Sequence, residues 1–567
     1  MTPGVRPRER ALDAPVGARG GAVPEIRARS PGVAWYVVAA IGVAVGAYLR
    51  ATQLPIQILL DDEWHAIHKL LHSDARGILT SFGLADHSIP LTLYYRFLAL
   101  HGGLTEWEMH LPLLLAGIAL LVVAPLLLFR RVSFAVLATW VLLLAISPLH
   151  VYLSRTARPY ALTCLLAFVA VIAFRNAWCD AVRRRAWAAV YVGATFLAGW
   201  LHLVTLPFTL LPFLYFGIRA LVRERGRIAA ASVVRLATLG VLTAIPLAIA
   251  LLPPLLAGRA QLADKAGTDS VTLESVYRTA LMLFGTSSPW VLLACIVLFA
   301  GGIYRWWRRD RAFVAYVGVL CAGTAVAIVA ARPQWIQHPL VLARYLLPTL
   351  PFLLLFTAEG AVAAIETLPA LFRPAFVALG AIGLLAAGPI PTYLYDPNQF
   401  MGHQRFQFDY DPAHNPYVQL VPPEPIPAFY RALAKQPPRS LTLIEAPWRL
   451  ESDFIPHPWY QQVHRQYVKI GLVTPTCGVR DFGEYPASAT SLRFRYFVHL
   501  SDILDGASQG GDYLVMHLSP WKLLPDPDPE WPDVKACLPT IEAALGPPMY
   551  RDDGIVVFDL RHRAPTR

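Results

Sequence analysis

Three consecutive carboxylates, Asp61, Asp62 and Glu63, follow shortly after the first strongly apolar stretch of the chain, residues 33–53. That stretch is long enough to cross a bilayer, because about 20 residues at a rise of about 1.5 Å each match a hydrocarbon core of about 30 Å. The acids are therefore expected at the membrane surface. A carboxylate within hydrogen-bond reach of a hydroxyl can act as a general base. Acids at such a position also commonly cap the helix that follows, so both interpretations stay open.

Four arginines are predicted at the same membrane surface. Arg155 and Arg158 lie at the outer end of the fourth apolar stretch, and Arg332 and Arg344 flank the loop within residues 331–348. A guanidinium donates two parallel N–H groups that match the oxygens of a phosphate. The alternative for each arginine is that its side chain extends to the lipid headgroups, and Tyr345 beside Arg344 fits interface anchoring equally well.

Three histidines, His65, His68 and His72, are spaced so that they share one face of a helix. Together with Glu63 they have the residue types that ligate a divalent metal. The favoured alternative is a polar stripe that faces the headgroups or a substrate, because no second cluster supplies the rest of a coordination shell. The sequence therefore predicts no required metal.

The composition identifies the class of protein. Of the 567 residues, 56% are hydrophobic and only 15% are charged, which is typical of a polytopic membrane protein. The net charge of +11 does not indicate nucleic-acid binding, because the basic residues are not gathered on one soluble face. They lie in short loops between apolar stretches, as the positive-inside rule describes.

About eleven transmembrane helices are predicted, and these stretches are 33–53, 109–129, 133–149, 158–177, 186–202, 204–221, 231–253, 288–304, 312–331, 340–362 and 372–394. Alternating them from a cytoplasmic start places five groups of arginines inside the cell, at 130–131, 183–185, 223–227, 305–311 and 373. This count requires residues 88–101 to form a helix in the interface. Residues 62–80 are likewise predicted as an amphipathic surface helix, with Asp61 or Asp62 at its N-cap.

Three regions follow from these patterns. Residues 1–32 are predicted to be a disordered cytoplasmic tail, and 33–395 the membrane domain, with amphipathic helices in its outer loop 54–108. Residues 396–567 are predicted to form a soluble α/β domain on the outer side, with strands at 441–447, 512–518 and 554–560 and a helix at 534–545. Cys477 and Cys537 are the only cysteines of this domain, which predicts a disulfide between them.

Four short motifs occur in a recognisable order. The acidic pair after the first span is followed by His-x-x-Pro-Leu at 87–91, by Leu111-Pro112, and by Ser-Arg-x-x-Arg-Pro-Tyr at 154–160. This order resembles the type C glycosyltransferases, which include protein O-mannosyltransferases, lipid A aminoarabinose transferases and bacterial relatives. The resemblance covers about residues 33–395. It implies an enzyme that transfers a sugar from a polyprenyl-phosphate carrier to an acceptor on the outer face of the membrane, usually with inversion.

The same resemblance implies roles for the candidate residues. The acidic pair of the family matches best to Asp62-Glu63, which makes Asp62 the expected general base and Asp61 the next candidate. The departing lipid phosphate needs a cation, for which Arg158, Arg344 and Arg155 are candidates. Arg344-Tyr345, just before an apolar run broken by proline, also resembles a family feature near the carrier phosphate.

The remaining expectations concern ligands and location. His65, His87, His202 and His338 are candidates for contacts to sugar or acceptor hydroxyls, although a hydrogen-bonded interfacial histidine is the favoured alternative for His202 and His338. No cofactor is expected to be required, and a divalent cation stays an open alternative, because some relatives use one and others do not. The expected partners are a polyprenyl-phosphate-linked sugar, a lipid, glycan or protein acceptor, and membrane lipids, with no nucleic acid. The expected location is the inner (plasma) membrane, with a cytoplasmic N-terminus and an extracytoplasmic C-terminal domain.

Two other function classes stay open at this point. One is a transporter or flippase of a lipid-linked sugar, and the other is a catalytically silent relative that binds a lipid carrier. A transporter would more often place ionisable residues in the middle of its spans. Here the charges lie at the ends of the spans, which favours chemistry at the membrane surface.

Overall fold

The computed structural model describes residues 32–59, 63–83, 87–180, 182–224, 226–267, 269–390, 426–448, 457–478, 491–519 and 533–563. The predicted disordered tail therefore lies outside the described residues except for Gly32. Asp61 and Asp62 also lie outside them.

The membrane domain is helical throughout. The first helix is α1 (Val33–Ala51), and α2 to α4 lie in the loop that follows it. The other described helices of this domain are α5 (Glu106–Leu128), α6 (Phe134–Ile146), α7 (Pro148–Leu153), α8 (Tyr160–Cys179), α9 (Arg184–Leu201), α10 (Leu206–Arg223), α11 (Arg227–Ala257), α12 (Arg259–Asp264), α13 (Leu273–Phe284), α14 (Pro289–Arg309), α15 (Arg311–Ala331), α16 (Pro339–Leu346), α17 (Leu350–Ala364) and α18 (Arg373–Ala386). Each of the eleven predicted spans contains a helix. Within the described ranges, eight stretches are long and apolar enough to cross a bilayer by themselves.

The other three predicted spans are shorter or more polar. Helix α6 has 13 residues and continues after Ser147 as α7, because Pro148 cannot donate to the helix ladder. Helix α9 begins with two arginines, and α18 has 14 residues. The chain is thus a polytopic α-helical membrane protein with a separate C-terminal domain.

Arginine ion pairs gather at one end of the helices. Arg175 at the end of α8 lies 2.8 Å from Asp310, which precedes α15. Arg305 at the end of α14 lies 2.6 Å from Glu366, just after α17. We call this end the arginine face and the opposite end the domain face, because the C-terminal domain packs there.

Two glycines allow α14 and α17 to approach closely. A Cβ on Gly302 would overlap the carbonyl oxygen of Phe356, and a Cβ on Gly360 would overlap that of Leu298. Small residues at such crossings let membrane helices pack backbone to backbone.

The first loop on the domain face forms three short helices, α2 (Trp64–His72), α3 (Ala75–Thr80) and α4 (Ile89–His101). The prediction of one helix over 62–80 was wrong, because Asp74 caps α3 through the backbone N–H of Gly77 (2.7 Å) and separates it from α2. Helix α2 begins at Trp64 with Glu63 at its N-cap position, and the predicted capping residues Asp61 and Asp62 lie outside the described residues. Helix α4 has 13 residues, about 20 Å, which is too short to cross, as the interfacial prediction requires.

The C-terminal domain is built on a six-stranded sheet. The strands are β1 (Thr442–Ala446), β2 (Tyr467–Leu472), β3 (Phe497–His499), β4 (Tyr513–His517), β5 (Tyr550–Arg551) and β6 (Ile555–Asp559), in the order β3-β2-β1-β4-β6-β5. Strands β1 to β4 are parallel, and β5 and β6 pair antiparallel at one edge. The described helices are α19 (Ala428–Leu433), α20 (His457–His464), α21 (Leu500–Leu504) and α22 (Val534–Leu545). The predicted helix and three predicted strands are present, and β2, β3 and β5 were not predicted.

The two faces of this sheet pack against different parts of the chain. One face packs against α22, which the disulfide between Cys477 and Cys537 links to the loop after β2, with Cα atoms 5.2 Å apart. The other face shares one apolar core with the first loop of the membrane domain, including Ile58 and Trp64. The domain is therefore docked on the segment that carries the acidic residues.

Candidate active site

We call the three consecutive acids, Asp61, Asp62 and Glu63, the acidic turn. Glu63 is its last residue. Its carboxylate is fully buried. Atom Oε1 lies 2.8 Å from Nε2 of His110 in α5 and accepts a hydrogen bond from the backbone N–H of Ala157. Ala157 directly precedes Arg158 in the Ser-Arg-x-x-Arg motif. Glu63 therefore joins the acidic turn to the loop of residues 154–158, and these buried contacts position it; its predicted catalytic role stays a prediction.

The hydrogen bonds of His110 assign its protons. Its Nδ1 lies 2.7 Å from the backbone oxygen of Glu106, which can only accept, so Nδ1 carries a proton. Its Nε2 faces the carboxylate of Glu63, where a second proton must lie between the two groups. A buried hydrogen bond therefore joins the two groups and orients both side chains.

The N-terminal end of the acidic turn is held by two other side chains. The backbone N–H of Leu59 donates to Oε1 of Glu106 at 3.1 Å. The backbone N–H of Ile58 donates to Oε1 of Gln461 at 3.3 Å, and Nε2 of Gln461 donates to the backbone oxygen of Ile56. Residues on both sides of the acidic turn are thus fixed by buried polar contacts.

Arg155 stabilises the end of α1. Its Nη1 donates to the backbone oxygens of Leu49 (3.2 Å), Arg50 (3.1 Å) and Thr52 (2.6 Å). Its Nη2 donates to Oε1 of Gln57 at 3.1 Å. The last carbonyls of a helix have no partner within the helix, so this guanidinium caps α1. Arg155 therefore has a structural role, and its predicted phosphate contact stays a prediction.

Arg158, Tyr160, His202, Arg344 and Tyr345 come together at the domain face, and we call them the basic cluster. The guanidinium carbon of Arg344 lies 5.5 Å from the ring centroids of both Tyr160 and Tyr345, within cation–π range. The ring of His202 lies 5.3 Å from that of Tyr160 and 6.1 Å from that of Tyr345. Arg158, which is buried, and Arg344 both lie close enough to act on the charge of His202. Three separate spans therefore contribute to one positively charged group.

The other predicted histidines lie at different places. His87 also acts on the charge of His202, and its ring packs edge-on against Phe82 at 5.0 Å, so it borders the basic cluster. His338 is buried at the start of α16. His65 is half-buried on α2.

The histidine stripe on α2 does not form a recognisable metal site. The rings of His68 and His72 lie 4.6 Å apart. Among the residues that the structure describes, no three His, Cys, Asp or Glu side chains are grouped so that they could hold a metal ion.

Sequence reasoning missed several contributors to the site. Glu106 and His110 are four residues apart at the start of a span, so they share one face of the helix. This spacing was a sequence signal for a polar helix face at the membrane surface. Arg50 is an ionisable residue inside the first span, which is a recognised signal. It is buried and donates to the backbone oxygen of Ala145 (3.0 Å) and to Nδ1 of His150 (2.8 Å). Gln461 had no signal in the sequence.

The arrangement combines two chemical capacities. The basic cluster supplies two guanidinium groups with aromatic walls, which suit an anion such as a phosphate. The acidic turn adjoins it through the hydrogen bond between Glu63 and Ala157. A transfer from a phosphate leaving group requires a base and a cation that stabilises the leaving phosphate.

Comparison with known proteins finds similarity among solved structures only. The sequence matches no protein-family model and no curated protein. Among solved structures it is similar to ArnT from Cupriavidus metallidurans bound to undecaprenyl phosphate, with 15% identity over 94% of this chain and 99% of that chain and a TM-score of 0.43. It is similar to the Archaeoglobus fulgidus oligosaccharyltransferase in complex with Zn and sulfate, with 13% identity over 85% and 68% of the two chains and a TM-score of 0.41.

A third similar structure is the arabinofuranosyltransferase AftD from Mycobacteria. The identity is 15%, over 93% of this chain and 41% of that chain, with a TM-score of 0.44.

Proposed function

We propose that the protein is a membrane glycosyltransferase that moves a sugar from a polyprenyl-phosphate carrier to an acceptor hydroxyl. The observation that carries the proposal is the basic cluster beside the anchored acidic turn. Arg158 and Arg344 bind the carrier phosphate, and Tyr160 and Tyr345 line the site. His87 and His202 are placed to contact sugar hydroxyls.

The reaction is a single displacement. The acceptor oxygen attacks C1 of the sugar while Asp62 takes the hydroxyl proton, and the bond between C1 and the phosphate oxygen breaks with its electron pair on the phosphate. The guanidinium groups stabilise the negative charge that develops on the leaving phosphate. Attack from the side opposite the phosphate inverts C1. Asp61 is the alternative base.

The domain face is extracytoplasmic in this proposal. The arginine face then lies in the cytoplasm, as the positive-inside rule requires. A lipid carrier reaches the basic cluster from the membrane, because Arg158, His202 and Arg344 all lie at ends of apolar helices. The acceptor is a lipid, glycan or protein, and no required metal is assigned.

The test is the substitution Asp62→Asn in the full-length protein in nanodiscs. Turnover is measured as release of polyprenyl phosphate from a polyprenyl-phosphate-linked sugar, and binding is measured with undecaprenyl phosphate. We expect turnover to fall by about 10²- to 10⁴-fold, the usual contribution of a general base, with binding unchanged within about twofold. The matched control is Asp74→Asn on the same loop, because asparagine caps α3 as well as aspartate does.

Arg158→Ala and Arg344→Ala test the phosphate contact. Each removes a charge-assisted hydrogen bond of about 1.5–3 kcal/mol, so binding of undecaprenyl phosphate should weaken by about 10- to 100-fold. A transporter would release no polyprenyl phosphate and would be indifferent to Asp62→Asn. A catalytically silent relative would bind undecaprenyl phosphate and form no product in the wild type. Either result refutes the proposal.

A further inference from the structure

One side chain of the C-terminal domain pairs with the backbone just before the acidic turn. Gln461 lies on α20 and is 6% exposed. Its Oε1 accepts from Ile58, its Nε2 donates to the backbone oxygen of Ile56, and the same nitrogen donates to the backbone oxygen of Gln466 at 3.1 Å. A carboxamide that pairs with the N–H of one residue and the C=O two residues earlier replaces the contacts of a neighbouring strand. Gln461 therefore fixes the direction of the segment that leads into the turn.

The same domain contacts the residue after the turn. Trp64 is buried, and its ring lies 6.2 Å from that of Trp448 and 6.3 Å from the nearly parallel ring of Phe497. Trp448 follows β1, and Phe497 begins β3. The C-terminal domain thus touches the chain on both sides of residues 60–62.

A buried polar network holds α20 in place. Tyr460, next to Gln461, stacks on Tyr430 with ring centroids 4.7 Å apart. The hydroxyl of Tyr430 donates to Glu445 at 2.8 Å, and Nε2 of His517 lies 2.6 Å from the same carboxylate. Burial, followed by the charge of Glu445, raises the pKa of Tyr430 well above its ordinary value, so the hydroxyl stays protonated and keeps donating. These buried contacts fix the position of α20 and therefore of Gln461.

The domain has a second attachment that does not involve Gln461. Leu104 and Phe494 form an isolated parallel bridge, and the guanidinium of Arg495 donates to the backbone oxygen of Gly102 at 2.9 and 2.6 Å. This attachment lies at the end of α4. Removing the side chain of Gln461 should therefore leave the domain docked while it releases the segment 56–58.

We infer that Gln461 is a positioning residue for the acidic turn, and that the C-terminal domain is in this way part of the transferase site. The inference rests on the proposed function. A general base must be held within a fraction of an ångström of its productive place, since a displacement of about 1 Å can cost about 10²-fold in rate. The basic cluster is formed by the membrane domain alone, so loss of Gln461 should lower kcat and leave binding of the carrier unchanged.

The experiment compares Gln461→Ala with Gln466→Ala in the full-length protein. Gln466 is a matched control, because it is also buried and also uses its whole carboxamide on backbone groups. It accepts from Ser440 (2.9 Å) and Leu441 (3.0 Å) and donates to Pro437 (3.0 Å), all within the C-terminal domain. We expect both variants to lose similar thermal stability, but only Gln461→Ala to lower kcat, by at least about tenfold, with undecaprenyl phosphate binding and the donor KM unchanged within about twofold.

Two results would overturn the inference. One is an equal effect of the two variants on kcat, which would make Gln461 a structural residue only. The other is a rise in donor KM at constant kcat, which would place its effect on carrier binding. If Gln461→Ala does not fold, Gln461→Glu replaces it, because it keeps the acceptor for Ile58 and loses the donor to Ile56. An inert Asp62→Asn would refute the proposed function itself, whereas an inactive Asp62→Asn beside a fully active Gln461→Ala would refute only this inference.

Discussion

The buried pair of Glu63 and His110 should dominate the stability of the first loop. Glu63→Ala removes the acceptor of two buried donors, the backbone N–H of Ala157 and Nε2 of His110. Each unsatisfied donor costs about 1–3 kcal/mol, so the loss should be about 2–6 kcal/mol. His110→Ala removes one partner of the buried Glu63 carboxylate, and losing one partner of a buried pair typically costs about 3–5 kcal/mol.

The double variant should lose little more than either single variant. With both side chains removed, the N–H of Ala157 stays unsatisfied, which costs about 1–3 kcal/mol in addition to lost packing. The two changes are therefore strongly non-additive, with a coupling energy of at least about 2 kcal/mol. Glu63→Gln should be the mildest change, because the glutamine oxygen still accepts from Ala157.

The assay is the melting temperature of the purified protein in detergent, read as the fraction that stays monodisperse after heating. The double variant should melt at or above the lower of the two single variants. The control combines Glu63→Ala with His101→Ala, because His101 is exposed and contacts only its own helix, so these shifts should add. If the shifts of Glu63→Ala and His110→Ala also added, the two side chains would not form a coupled pair and the reasoning would be refuted.

Three further predictions concern the framework of the site. Gly302→Ala should destabilise the crossing of α14 and α17, whereas the neighbouring Gly301→Ala, which meets nothing within 4 Å, should be tolerated; melting temperatures distinguish them. Replacing Cys477 and Cys537 by serine opens a loop with a sequence separation of 60 and should cost about 4 kcal/mol by the chain-entropy relation, measurable by denaturation under reducing and non-reducing conditions. Burial lowers the pKa of His464 from its ordinary value to about 3, so the unfolded chain binds a proton that the folded chain does not. Stability should therefore fall by about 1.4 kcal/mol per pH unit as the pH drops from about 6.5 towards 3, and His464→Asn should flatten this dependence.

The spans could be predicted from the sequence because their signal is local. A stretch such as 312–331 identifies itself by its own length and apolarity, and the arginine clusters fix the direction of the chain. The same reasoning placed Arg158, His202 and Arg344 at the same membrane surface. It could not place them side by side, because the lateral order of helices depends on packing between spans that are distant in sequence.

The details of the first loop could not be predicted, because long-range side-chain pairs decide them. Ile58 and Gln461 are 403 positions apart, and neither belongs to a pattern that indicates the other. Arg155 and Arg158 show the same limit at short range. The two have the same residue type three positions apart, yet one caps α1 and the other joins the basic cluster.

The residues whose contacts position the acidic turn are different from Asp62, the residue proposed to act as the base. Among the described residues, hydrogen bonds on both sides of residues 60–62 involve backbone groups, namely those of Ile56, Ile58, Leu59 and Ala157, and Glu63 also bonds to the side chain of His110. Backbone groups are the same whatever side chain stands at position 62. Asp62→Asn should therefore abolish turnover at an unchanged melting temperature, while Gln461→Ala should lower both. If Asp62→Asn also lowered the melting temperature by several degrees, its carboxylate would be part of the framework, and a role as a base free to accept a proton would be untenable.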